Sequence, residues 1–167
     1  MHVVYLFGSG TLGVIPDVIE NHISEIIKQT NREVRFIVGG RNGADSAFHK
    51  TLSAVGARSL SNIYSIGNPT NNNYELDTYT FDMENDTDKK TIKIKGVNGD
   101  VLEEFDNVEN VEDIKNKPSY FDFLNRQMCR DCTFAICYWD GQSKNTLRTI
   151  DRLKAQGKYV YVYTAQI

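Results

Sequence analysis

The sequence predicts an α/β protein whose centre is a doubly wound parallel sheet. Short apolar runs of β-forming residues alternate with segments whose apolar residues recur at helical spacing, an order typical of parallel sheets. Three of the strand-to-helix junctions are rich in glycine and small polar residues. In the middle of the chain, Asn98-Gly99 stands between two alternating runs and indicates an antiparallel hairpin.

Five strands and four helices form the predicted core. The strands are His2–Phe7, Val34–Val38, Ile63–Ile66, Thr133–Tyr138 and Tyr159–Tyr163, and the helices are Ile15–Lys28, Ala44–Val55, Pro118–Met128 and Ser143–Gln156. The first strand is a continuous apolar run, which is typical of a strand buried on both faces, so we expect it in the centre of the sheet. Proline at 118 suits the first turn of a helix.

One domain is expected to span residues 1–167. With 167 residues, of which 40% are hydrophobic, the chain is long enough to bury one core. Residues 74–105 interrupt the parallel pattern after the polar loop Asn68–Asn73. We interpret them as an antiparallel β-hairpin insertion or extension of the sheet, because they are too few for a separate domain.

Charge and composition exclude several classes of protein. The net charge is −3 and no dense lysine or arginine run occurs, which disfavours a duplex nucleic acid partner. The first ten residues lack a basic segment and a long apolar run, so we expect no signal peptide, no membrane partner and a cytoplasmic location. Cys129, Cys132 and Cys137 are expected to be reduced, inert thiols. We expect neither a metal ion nor a cofactor.

Three junctions carry the residues suited to a phosphate. They are Gly8-Ser9-Gly10-Thr11, Gly39-Gly40-Arg41-Asn42-Gly43-Ala44-Asp45 and Asp140-Gly141-Gln142-Ser143-Lys144-Asn145-Thr146. Each follows the carboxyl end of a predicted strand, and these ends share one edge of a parallel sheet, where ligands bind. Helix N-termini offer free N–H groups, glycine permits close approach, and Arg41 supplies positive charge. The sequence therefore predicts a nucleotide or sugar-phosphate site at this edge.

Two common nucleotide-binding motifs do not fit the chain. No G-x-x-x-x-G-K-[ST] segment occurs. The spacing of Gly8, Gly10 and Gly13 matches G-x-G-x-x-G, but the second strand ends in Gly39-Gly40 and offers no acidic residue to a ribose. A standard NAD-binding fold is therefore disfavoured.

Asp45 and Asp140 are the candidate catalytic residues if the protein is an enzyme. Glycoside chemistry uses a pair of carboxylates in one cleft, and both residues lie in the predicted loops. Each also has a structural alternative. Asp45 can stabilise the first turn of its helix, and Asp140 can act as a turn residue.

The glycine-rich segments also resemble a known superfamily. "VGGRNGADSAF" with "GARS" and "IYSIG" after it, and "AICYWDGQSKNTLRTIDRLKAQGKYVYVY" near the end, are similar to two blocks of SLOG-type Rossmannoid proteins. These proteins are related to the Lonely Guy phosphoribohydrolases and to the DNA-processing proteins of natural transformation. The resemblance covers residues 1–67 and 118–167 and implies a three-layer α/β/α Rossmann-like fold that binds a nucleotide or its derivative.

Carried over residue by residue, the resemblance implies a site with two walls and a floor. One wall contains Gly39, Gly40, Gly43 and Asp45, the other Asp140, Gly141, Ser143 and Thr146, and residues 8–11 form the floor. Two positions depart from the family pattern. Asn145 stands where glycine is usual, and Thr149 falls where the phosphoribohydrolases have their catalytic glutamate. We therefore expect that the protein is not a phosphoribohydrolase of the Lonely Guy kind.

Three functions remain as hypotheses. The first is a protein that senses or sequesters a nucleotide or an ADP-ribose-like signal. The second is a hydrolase or transferase acting at the N-glycosidic bond of nucleosides or nucleotides. The third is a structural or regulatory partner without a ligand. An exposed antiparallel edge within residues 74–105 favours a homodimer.

Overall fold

The computed structural model describes residues 1–165 and confirms the α/β class. Six parallel strands form the main sheet in the order β4-β3-β2-β1-β8-β9. In chain order, the elements are β1 (His2–Gly8), α1 (Asp17–Gln29), β2 (Val34–Val38), α2 (Ala44–Ala54), a short 3₁₀ helix (Arg58–Leu60), β3 (Ser61–Ser65), β4 (Asp77–Thr80), β5 (Asp82–Asp86), β6 (Thr91–Lys95), β7 (Val101–Asp106), α3 (Val111–Lys115), α4 (Pro118–Asp131), β8 (Phe134–Trp139), α5 (Lys144–Ala155) and β9 (Val160–Thr164).

Strand β1 lies in the centre of the main sheet, as its apolar run predicts. It pairs in parallel with β2 on one side and with β8 on the other. Its side chains alternate between two buried cores: Val4 and Leu6 belong to one, Tyr5 and Phe7 to the other. Both faces of the sheet are therefore covered.

Helices α1 and α2 cover the face to which Val4 and Leu6 point. Helix α1 buries Ile19, Ile23, Ile26 and Ile27, and α2 buries Phe48 and Leu52 against the same core. The apolar residues recur every three or four positions, which places them on one side of each helix. Helices α4 and α5 contribute Phe123, Leu124, Ile150 and Leu153 to the opposite core. The three layers of the predicted fold are present.

The middle of the chain differs from the prediction in one respect. Residues 74–105 were expected to be antiparallel, but β4 within this segment pairs in parallel with β3 and becomes the edge strand of the main sheet. Three of its four residues are exposed, so it carries no apolar pattern that could reveal its place. The antiparallel part begins at β5 and has three strands, β5-β6-β7, rather than two.

The small antiparallel sheet packs on the same face as α4. Ile92, Ile94 and Phe105 join the core that contains Phe123, and the Phe81 and Phe123 rings meet edge to face with centroids 5.2 Å apart. The small sheet therefore shares a core with one face of the main sheet. No helix within residues 1–165 has the length and apolar character needed to cross a membrane.

Candidate functional site

A cleft runs along the carboxyl edge of the main sheet, where β1, β2 and β8 end. It has three connected pockets that share Arg41, Phe121 and Asn145 in their walls. The inner pocket, which also contains Tyr5, Leu124 and Met128, has a volume of about 90 Å³. The side pocket, which also contains Pro118, Asp122 and Arg148, has about 310 Å³, and the outer pocket, which also contains Gly10, Thr70 and Asn71, has about 480 Å³. Pockets that hold small ligands usually measure about 300–1,000 Å³, so the outer pocket has the size of a ligand site.

The strand order explains why a cleft opens here. From β1 the chain continues to β2, β3 and β4 on one side, whereas β8 and β9 lie on the other side. The connections after β1 and β8 therefore lead away from each other. Ligands of open α/β sheets bind in the crevice that such a switch leaves at the carboxyl ends of the strands.

Ser9 joins the three glycine-containing loops at this edge, which we call loop 1 (8–11), loop 2 (39–45) and loop 3 (140–146). Its N–H donates to the Tyr138 carbonyl at 3.0 Å, and its own carbonyl accepts from the Ala44 N–H at 3.4 Å. Its hydroxyl oxygen accepts from the Asp140 N–H at 3.0 Å and lies 3.3 Å from Thr146 Oγ1. Since Ser9 is fully buried, its role in this structure is to hold the loops together.

Gly43 allows loop 2 to touch loop 1. Its φ of +84° is a backbone conformation that residues with a Cβ rarely adopt. A Cβ at this position would also collide with the backbone of Gly10. By contrast, a Cβ on Gly10 would meet nothing within 4 Å among the described residues, so Gly10 faces the open cleft.

Asp45 is the carboxylate of the inner and outer pockets. Its Oδ2 accepts from the Arg41 N–H at 3.2 Å and would lie 2.5 Å from a Cβ on Gly39, so glycine at position 39 makes room for it. Its Oδ1 has no hydrogen-bond partner within residues 1–165. Burial raises the pKa of Asp45 to about 6, while the N–H and the charge of Arg41 lower it. Asp45 therefore changes its charge close to neutral pH.

Asp140 organises loop 3 and does not line the cleft. Its Oδ1 accepts from the N–H groups of Gln142 at 2.9 Å and Ser143 at 2.7 Å, and its Oδ2 accepts from the Thr11 hydroxyl at 2.8 Å. These hydrogen bonds, those of the two N–H groups first, lower the pKa of Asp140 to about 2. Trp139 supports the same loop, since its Nε1 donates to the Ser143 carbonyl at 3.1 Å.

Arg41 lies across the cleft. Its guanidinium carbon is 4.4 Å from the centre of the Phe121 ring, which connects loop 2 with α4. Arg58, Arg126, Arg130 and Arg152 form ion pairs, whereas Arg41 forms none within the described chain. The cleft therefore contains an exposed positive charge that forms no salt bridge within the described chain, although it interacts at longer range with the Asp45 carboxylate.

The polar loop of residues 68–73 forms a further wall of the outer pocket. Asn71 Nδ2 donates to the Gly40 carbonyl at 3.0 Å and to Asn42 Oδ1 at 3.1 Å. These bonds connect the 68–73 loop with loop 2. Thr70 and Asn71 thereby bring amide and hydroxyl groups to the pocket.

A hydrogen-bond network lines the inner pocket. Asn125 Nδ2 donates to the Tyr5 hydroxyl oxygen at 2.9 Å and to Thr149 Oγ1 at 3.0 Å, and Asn125 Oδ1 accepts from Arg152. The Thr149 hydroxyl donates to the Asn145 carbonyl at 3.1 Å. Thr149 thus lies in the pocket wall, with its hydroxyl engaged and without a charge.

Ten of the fifteen predicted binding residues line the cleft: Gly8, Gly10, Gly39, Gly40, Arg41, Asn42, Asp45, Ser143, Asn145 and Thr146. The other five, Ser9, Thr11, Gly43, Asp140 and Gly141, do not line it. Ser9, Thr11 and Asp140 form hydrogen bonds within and between the loops, and Gly43 contacts Gly10. Whether any of the fifteen contacts a ligand stays a prediction.

Sequence reasoning missed the helical wall of the cleft. Phe121, Leu124, Asn125 and Met128 lie on one face of α4 and line the inner pocket. Their spacing of three or four residues was the available signal. It indicated a face turned inward but not that the face borders a cleft, because a core and a pocket wall have the same pattern.

The remaining histidines and cysteines lie outside the cleft. His22 Nδ1 is 2.7 Å from the Tyr163 hydroxyl, and His49 Nε2 is 2.8 Å from the Gly39 carbonyl. The three cysteines are free and buried, and burial raises the pKa of Cys129 to about 12. Within residues 1–165 no three His, Cys, Asp or Glu side chains are grouped as metal ligands.

No family model, curated protein or solved structure matches the chain.

Proposed function

We propose that the protein binds a nucleotide or nucleotide derivative and belongs to the SLOG-type Rossmannoid superfamily. The observation that carries the proposal is the exposed charge of Arg41, which forms no salt bridge within residues 1–165, in a cleft at the switch point of the parallel sheet. The N-terminal ends of α2 and α5 lie at the same edge, and their partial positive charge favours a phosphate. Gly10, whose Cβ position is open, leaves room for its close approach.

The arrangement of the carboxylates supports binding ahead of hydrolysis. Asp45 lines the inner and outer pockets, but Asp140 uses both of its oxygens within the loops. Asp122, in the side pocket, is paired with Arg126 and Arg152. A glycosidase needs two carboxyl groups that flank the scissile bond. Hydrolysis of an N-glycosidic bond by Asp45 therefore ranks second, and a ligand-free partner role third.

We further propose that the protein acts in the cytoplasm as a homodimer. The edge strands β4 and β9 leave one side of their backbone unpaired in the main sheet. On β9, Tyr161 and Val162 are each about 40% exposed. Sedimentation equilibrium measures the mass in solution, and a monomer at all concentrations would contradict the dimer.

The experiment for nucleotide binding compares two exposed arginines. Wild type, Arg41→Ala and Arg58→Ala are titrated by calorimetry with AMP, GMP, CMP, UMP, NAD and ADP-ribose. Arg58 directly precedes β3 and therefore lies at the amino ends of the strands, away from the cleft, where it pairs with Glu75. A charge-assisted hydrogen bond contributes about 1.5–3 kcal/mol, so Arg41→Ala is expected to weaken binding roughly 10- to 100-fold.

Three results would change the assignment. If no compound of the panel binds to wild type, the ligand-free role moves to first place. Equal losses in both arginine variants would remove the cleft as the binding site. Release of free base from the monophosphates, abolished in Asp45→Asn, would make the protein an N-glycosidic enzyme.

A further inference from the structure

Phe121 presents an aromatic face to the cleft. The residue lies in the first turn of α4, is partly buried, and lines all three pockets. The neighbouring Tyr120 meets it edge to face, with centroids 4.9 Å apart and an angle of 69° between the rings. Tyr120 is itself buried, so it fixes the orientation of the Phe121 ring.

A planar group already occupies this face. The Arg41 guanidinium stands 4.4 Å from the ring centre, a distance at which a flat conjugated group stacks on an aromatic ring. Arg41 is exposed, and its guanidinium forms no salt bridge within residues 1–165. Since a cation–π contact at an exposed site is weak, an anion in the cleft can draw the guanidinium from the ring.

We propose that Phe121 is the stacking platform for the base of the ligand. The phosphate recruits Arg41 toward loops 1 and 3, and the heteroaromatic base takes the place of the guanidinium on the ring. This inference rests on the proposed function and narrows its ligand class. It selects nucleotides that carry an aromatic base over sugar phosphates that carry none.

Asn145 can form hydrogen bonds with the edge of a base that stacks on Phe121. Its side chain is exposed, lines the same three pockets as Phe121, and makes no hydrogen bond within the described residues. A carboxamide both donates and accepts, so it matches the edge of any base. The amide of Asn125, in contrast, is engaged with Tyr5, Thr149 and Arg152. Asn145 is therefore the free amide beside the platform.

The test compares ligands with and without a base. Wild type, Phe121→Leu and Phe121→Trp are titrated with ribose 5-phosphate and with the tightest binder among AMP, GMP, CMP and UMP. Loss of base–aromatic stacking corresponds to roughly 5- to 100-fold in affinity, so Phe121→Leu should lose that factor for the nucleotide. Its affinity for ribose 5-phosphate should stay unchanged, and Phe121→Trp should keep the preference for the nucleotide.

A measurement on wild type keeps the test valid if a variant does not fold. Protons of a base stacked on Phe121 shift upfield in the NMR spectrum of the bound nucleotide, because the ring current shields them. Equal affinity of wild type for the nucleotide and ribose 5-phosphate, or equal losses of both in Phe121→Leu, would overturn the platform but leave the phosphate site. The absence of binding by every phosphate compound would instead overturn the proposed function.

Discussion

Gly43→Ala is expected to be the most destabilising single substitution in the loops. The residue has a φ of +84° and ψ of −129°, a region that is strained for alanine by about 1–3 kcal/mol. The new Cβ would also overlap Gly10, and overpacking adds about 1–3 kcal/mol. At about 2–4 °C per kcal/mol for a chain of this size, the midpoint of thermal unfolding should fall on the order of 10 °C.

Gly56→Ala is the matched control for this substitution. Gly56 has a φ of +74°, but a Cβ there would meet nothing within 4 Å in the described structure. It therefore shows the cost of a positive φ without a collision, about 1–2 kcal/mol. Calorimetric unfolding of both variants measures the difference. Equal losses in the two variants would contradict the contact between loops 1 and 2.

Asp45→Asn is expected to stabilise the protein at pH 8. Burial raises the pKa of Asp45 from 3.8 to about 6, so its folded state retains the proton more strongly than the unfolded chain does. Stability therefore decreases as pH rises between about 4 and 6, and the full cost of the buried charge is present above that window. The difference between a pKa of 3.8 and one of about 6 corresponds to roughly 2–3 kcal/mol, or about 5–10 °C in the unfolding midpoint at pH 8.

The pH dependence separates this effect from a general gain in packing. Asparagine does not ionise, so the advantage of Asp45→Asn should vanish near pH 4. The control is Asp140→Asn, which is expected to destabilise the protein at pH 8. The pKa of Asp140 is lowered to about 2, so its carboxylate stabilises the fold above about pH 4 and loses this effect as pH falls toward 2. Destabilisation by Asp45→Asn at pH 8 would contradict the claim that the charged Asp45 carboxylate lowers the stability of the fold.

A residue that costs stability and remains in a cleft suggests a functional reason for its presence. Buried carboxylates with a raised pKa are frequent at functional sites because ligand chemistry, rather than folding, requires them. The free Oδ1 of Asp45 is available to a hydroxyl or amine of a ligand. This agrees with a binding role for Asp45. The assay for free base tests whether Asp45 also acts in catalysis.

The apolar elements of the fold could be predicted from sequence, and the polar ones could not. The continuous run of β1 placed it in the centre of the sheet, and the helical spacing in α1 identified its buried face. Strand β4 could not be recognised as a parallel strand, because its pairing with β3 depends on backbone groups and its side chains are mostly exposed. Helix α3 has five residues, too few for a periodic pattern, although Asn110 and Asp113 form a capping box.

The loops show a different limit. The sequence indicated that the glycines permit a close approach of the backbone. It could not indicate whether the backbone approaches a ligand or another part of the same chain. Gly43 and Gly39 make room for Gly10 and Asp45 of the same chain, whereas Gly10 faces open space. Asp140 likewise belongs to a residue type that is common in active sites, but its hydrogen bonds are those of a turn residue. Only the contacts distinguish these cases.

The most direct test of the central claim is to map where a phosphate ligand binds. Uniformly ¹⁵N-labelled protein is titrated with the tightest nucleotide of the panel, and the amide shifts are followed by heteronuclear NMR. We expect the largest changes at Gly10, Gly40 and Asn145, with none at Gly56 or Gly157, which follow the C-terminal ends of α2 and α5. Shifts at Gly56 and Gly157, or no shift with any nucleotide, would contradict a phosphate site between the three loops.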